Sequence, residues 1–150
     1  MNSPAGVGLL NYVGHGGSNQ LADENLLSND PGNGTLDALY SPGNKLPIFL
    51  AFTCEVGDGS NPGYDSLAES LLWRRQGGVV AGFAPSALSD NAQAHTLNTS
   101  MVNALAGKNA SATLGEAAAA ALADFAKKGG LRYMRDVYSV IGDPGLRVQQ

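Results

Sequence analysis

The chain alternates between short apolar runs, several of them β-branched, and longer segments whose apolar residues recur at helical spacing. Four runs predict strands: Val7–Val13, Pro47–Thr53, Gly78–Ala84 and Val137–Ile141. They are apolar almost throughout, the pattern of strands buried on both faces of a parallel sheet. Between them lie helix signals. Ser66-Leu67-Ala68-Glu69 is a capping box, whose hydroxyl and carboxylate satisfy amides left open at a helix start. That helix is expected to reach about Arg75 and stop at Gly77-Gly78. Asp90 with Gln93 opens a second helix that ends at Gly107. Thr113 with Glu116 opens a third, with Leu114, Ala118, Leu122 and Phe125 on one stripe and Gly129-Gly130 at its close.

Strand, helix, strand, helix, helix, strand predicts an α/β domain. The expectation is a mostly parallel sheet of about four strands with helices on both faces. Residues 28–45 are turn-rich and read as an excursion over the surface. The first run begins so near Met1 that a buried strand there implies neighbours upstream. The sequence thus reads as part of a larger sheet, residues 1–150 forming one partial domain. The outer edge of Val7–Val13 is then a surface for self-association, since an uncovered strand is a template for pairing.

Composition narrows the function. At 150 residues, 43% apolar and 15% charged, the chain can bury one core. The net charge is −4, and the nine Lys and Arg residues are scattered, which disfavours nucleic acid. No apolar run is long enough for a membrane span, and Met1-Asn2-Ser3-Pro4-Ala5 does not begin a signal peptide. The single cysteine excludes an internal disulfide, and one Cys with two His falls short of a structural zinc site. Cys54 is therefore either a small buried hydrophobe or a reactive thiol.

Sites in parallel sheets form beyond the carboxyl ends of strands. The first strand runs into Gly14-His15-Gly16-Gly17, and the second into Thr53-Cys54-Glu55. His15 and Cys54 each cap a predicted strand, so adjacent parallel strands would bring a thiol and an imidazole to one edge, as nucleophilic catalysis requires. An oxyanion could be held by the amides of Gly16 and Cys54, with Gly17 and Glu55 as candidates for the substrate cleft. The plainer alternative is a tight turn carrying an exposed histidine. His95 fits a solvated helix residue, Asp143 a turn former, and Trp73 and Tyr64 core or helix-flank positions.

Asn11-Tyr12-Val13-Gly14-His15-Gly16 resembles the histidine block of the gingipain-like peptidases. Ala51-Phe52-Thr53-Cys54-Glu55-Val56-Gly57, with Ser66–Leu72 and Gly77–Gly82 behind it, is similar to their cysteine block. The ending Tyr138–Val148, with its Gly-Asp-Pro turn, resembles their terminal strand. The resemblance implies a caspase–hemoglobinase fold and cysteine endopeptidase activity on protein or peptide substrates. Cys54 would attack the scissile carbonyl, while His15 would protonate the leaving amine and activate water. It also implies a secreted or cell-surface bacterial protein. In that family, strands and positioning groups lie upstream, so this segment alone is expected to be weakly active or inactive. No cofactor is expected; calcium occurs in the family, but no ligands are assigned here. A catalytically inactive caspase-like regulatory module is the alternative, and a flavodoxin-like binding domain a third. The latter has no phosphate-binding glycine fingerprint to support it.

Overall fold

The computed structural model describes residues 6–30, 32, 35–36, 45–75 and 77–148. The strands are β1 (Leu9–Val13), β2 (Gly16–Gly17), β3 (Gln20–Leu21), β4 (Leu27–Ser28), β5 (Ile48–Phe52), β6 (Ala81–Pro85) and β7 (Tyr138–Gly142). The helices are α1 (Leu67–Trp73), α2 (Asn91–Ala106), α3 (Leu114–Lys127) and α4 (Arg132–Val137). The main sheet has the order β1-β5-β6-β7. β1, β5 and β6 run parallel, and β7 returns antiparallel to β6. The four runs predicted as strands are these four, each within a few residues of its expected bounds.

Alternation along β5 divides the interior. Ile48, Leu50 and Phe52 face one core with Ala81, Phe83 and Tyr138, closed by Leu97 and Met101 of α2 and by Leu114, Ala117 and Phe125 of α3. Phe49 and Ala51 face the opposite core, with Leu67 and Leu71 of α1. Both faces of β5 and β6 are therefore dry. The second core has a cover that the sequence pattern did not predict, a three-stranded antiparallel sheet β2-β3-β4 contributing Leu21 and Leu27.

β1 departs from its expected burial. Leu9, Asn11 and Val13 are exposed, and only Leu10 and Tyr12 turn toward a core. It is the edge strand, paired among the described residues with β5 alone. An apolar run without alternation thus sits at a sheet edge with one side in solvent. Most of the predicted 28–45 excursion lies outside the described residues.

The helix ends follow the predicted chemistry. Ser66 and Thr113 both complete capping boxes, and Asp90 caps α2 through the Gln93 amide. Gly129 takes φ +81°, and the amide of Gly130 donates to the Phe125 carbonyl. That pair of features is a Schellman ending, which uses glycine because the left-handed region is strained for other residues. Asp143 forms the expected turn, accepting the Gly145 amide at 2.8 Å.

Candidate active site

The register of β1 on β5 pairs Val13 with Phe52, so the two strands end level with each other. The loops that follow are tied at once: the Gly14 amide donates to the Phe52 carbonyl at 3.3 Å. The His15 carbonyl takes two donors, the Tyr12 hydroxyl at 2.6 Å and the Ala22 amide at 2.9 Å. Burial, with the Glu24 charge behind it, raises the Tyr12 pKa, so this phenol stays protonated and able to donate. Gly16 packs against the residue before the cysteine. A Cβ at Gly16 would lie 2.5 Å from Thr53 Oγ1 and 3.0 Å from the Gln20 carbonyl oxygen. Only glycine lets the histidine loop sit this close to β5.

The cysteine loop is bent sharply. Glu55, directly after Cys54, has φ +56°, a left-handed conformation that costs about 1–2 kcal/mol outside glycine. Its neighbours hold it there: the Glu55 amide donates to the Ala87 carbonyl and the Gly57 amide to the Pro85 carbonyl. The turn brings Cys54 to the wall of a pocket of about 140 Å³ that it lines with Gly14, His15, Phe52, Thr53, Ser89, Asn91 and Ala94. Cys54 is a free, half-buried thiol, and His15 is exposed on the same pocket. The two residues predicted to meet at a strand edge therefore share one cavity.

A sequence profile of peptidase family C25 matches residues 1–149. The chain belongs to that family. Its fold is that of the crystal structure of the Arg-specific cysteine proteinase gingipain R, with TM-score 0.84, 24% identity, and coverage of 97% of this chain and 34% of that one. The complex of RgpB pro- and mature domains from Porphyromonas gingivalis gives 0.81 at 24% identity, over 97% of this chain and 35% of that one. A third structure, of a protease, gives 0.79 at 16% identity over 96% and 36%. The family member described here thus spans about a third of the length of each solved chain. No curated protein matches it. The gingipain-like, caspase–hemoglobinase-like arrangement implied by the sequence resemblance holds.

Gly17 and Glu55 do not line the pocket that Cys54 and His15 share. His95 is exposed on α2, Trp73 is 70% exposed at the end of α1, and Tyr64 is also exposed. Sequence reasoning missed Ser89, whose backbone touches the sulfur, and Asn91, which lines the pocket. Among the described residues, no three His, Cys, Asp or Glu side chains are grouped to hold a metal ion. None of the described helices is long and apolar enough to cross a membrane.

Proposed function

We propose that the chain carries the nucleophile and the acid–base group of a cysteine endopeptidase. The observation that carries this is the shared pocket: Cys54 and His15 line one cavity beyond the level ends of adjacent parallel strands, in a chain of family C25. The Cys54 thiolate attacks the carbonyl carbon of a peptide bond, forming a carbon–sulfur bond and placing charge on the carbonyl oxygen. The amides of Gly16 and Cys54 are the donors for that oxyanion, each worth about 3–4 kcal/mol when preorganised. Collapse breaks the carbon–nitrogen bond while His15 gives its proton to the leaving amine. A water then attacks the thioester, His15 takes its proton, and the acid departs as the thiol is regenerated. Gly17 and Glu55, at the edges of the two loops, are the candidates for contact with the rest of the substrate.

Native-state labelling with iodoacetamide tests the nucleophile. Cys54 should be modified stoichiometrically without denaturant, since it is half-buried on an open pocket. Protection until the protein is unfolded would instead mark it as a packing residue.

The same reading places the protein outside the cytoplasm or on the cell surface, acting on protein or peptide substrates. It also makes the 150-residue segment weakly active or inactive by itself, because groups misplaced by even ~1 Å can cost about a hundredfold in rate. The β1 edge, with Leu9 and Val13 exposed, is the surface through which the isolated chain should associate. Light scattering should give a mass above the monomer that falls when Asn11 is replaced by proline. A monomer at all concentrations would remove that expectation.

A further inference from the structure

Among the described residues, the polar contacts to the Cys54 sulfur come from one residue. The Ser89 amide donates to Sγ at 3.4 Å, and the thiol donates back to the Ser89 carbonyl at 3.7 Å. The second contact lasts only while the sulfur keeps its proton. The first gains strength when the proton leaves, because an N–H donor favours the charged form of the group it faces.

Ser89 lies in the loop between β6 and α2, and that loop is fastened from the α4–β7 corner. The Ser89 hydroxyl lies 2.9 Å from the Tyr138 hydroxyl. The amide and hydroxyl of Ser86 both donate to the Val137 carbonyl, and the Asp90 amide donates to the Tyr133 hydroxyl at 3.1 Å. Tyr138 also donates to the carbonyl of Thr53, at 3.5 Å, so it touches both the loop and the residue before the nucleophile. Burial pushes the Tyr138 phenol up to about 12, which leaves it a neutral hydrogen-bonding group at any ordinary assay pH. The other titratable groups around the sulfur are His15 across the pocket, Glu55 next in the chain, Asp90 beyond Ser89, and Tyr133 on α4.

We propose that the Ser89 amide is the donor that steadies the Cys54 thiolate, and that Tyr138 is the positioning residue that aims it. This deepens the peptidase reading and rests on Cys54 being the nucleophile. A hydrogen bond to a charged group usually changes an equilibrium about tenfold or more, and misaligning one costs part of that. The clamp is built on β7 and α4, elements far along the chain from both reacting side chains.

The test is the rate of iodoacetamide alkylation at pH 7, measured on folded protein. Ser89→Pro, which deletes the donor, should slow alkylation at least about tenfold. Tyr138→Phe and Ser89→Ala should each slow it about threefold, and the double variant no further, because both break the same contact. Ser89→Thr, which keeps the hydroxyl, should restore the parent rate. Leu71→Val, which loosens the core on the opposite face of the sheet, should alkylate at the parent rate. If Ser89→Pro does not fold, Tyr138→Phe and the double variant decide. Parent-like rates in Tyr138→Phe, or equal slowing in Leu71→Val, overturn the proposal while leaving Cys54 as nucleophile. A parent protein that is not alkylated at all overturns both.

Discussion

A longer chain of this family that contains the segment, with alanine in place of His15, is expected to turn over peptides about a hundred to ten thousand times more slowly than its parent. The loss should fall on kcat with KM little changed, because the imidazole moves protons in both half-reactions and binds little of the substrate. The fold should survive. His15 is exposed and lines the pocket, whereas its loop is held through the His15 carbonyl by Tyr12 and Ala22. Steady-state kinetics on a mixed peptide substrate, beside a Cys54→Ala control with no turnover, reads both parameters. A loss of tenfold or less would make His15 a loop residue and leave Cys54 without its partner.

The largest effect on stability is expected at Gly78. Its φ is +94°, and a Cβ there would press on the backbone carbonyl oxygen of Leu71. The contact is tight because the chain doubles back over the last turn of α1, where the Val79 amide takes that carbonyl at 3.1 Å. Gly78→Ala combines left-handed strain with a collision against backbone that cannot step aside, and should cost about 3 kcal/mol or more. Gly63→Ala is the matching control: its φ is +79°, but nothing lies within 4 Å of the added carbon, so only the strain is felt, about 1 kcal/mol. Urea denaturation of the two variants separates collision from strain. Equal midpoints would show that α1 can move away from the turn.

Gly78 also illustrates what the sequence discloses. The Gly77-Gly78 stop, the two capping boxes and the Schellman ending were legible because each is decided by residues a few positions apart. Strands β5 and β6 were legible because burial on both faces leaves no polar position. The direction of β7 was not, since nothing local distinguishes a parallel from an antiparallel return. Strands β2, β3 and β4 have two residues each and no period to detect. Helix α4 begins at Arg132 after an N-cap, Leu131, that makes no side-chain hydrogen bond, so it carried no start signal.

The site divides in the same way. That Cys54 and His15 share a pocket was legible because each follows the end of a predicted strand. Ser89 and Tyr138 were not, because their contacts with each other and with the sulfur join distant parts of the chain and exist only once the sheet is assembled.

The sheet separates two cores, and the walls of the pocket belong to different ones. The histidine loop continues into the small antiparallel sheet, whose Leu21 and Leu27 pack with α1. The loop that contacts the sulfur is fastened to α4 and β7 on the opposite face. Any ligand lying across both walls would act as a rivet through two plates, its binding free energy adding to the cohesion of the whole domain. A small adduct on the sulfur alone grips one plate.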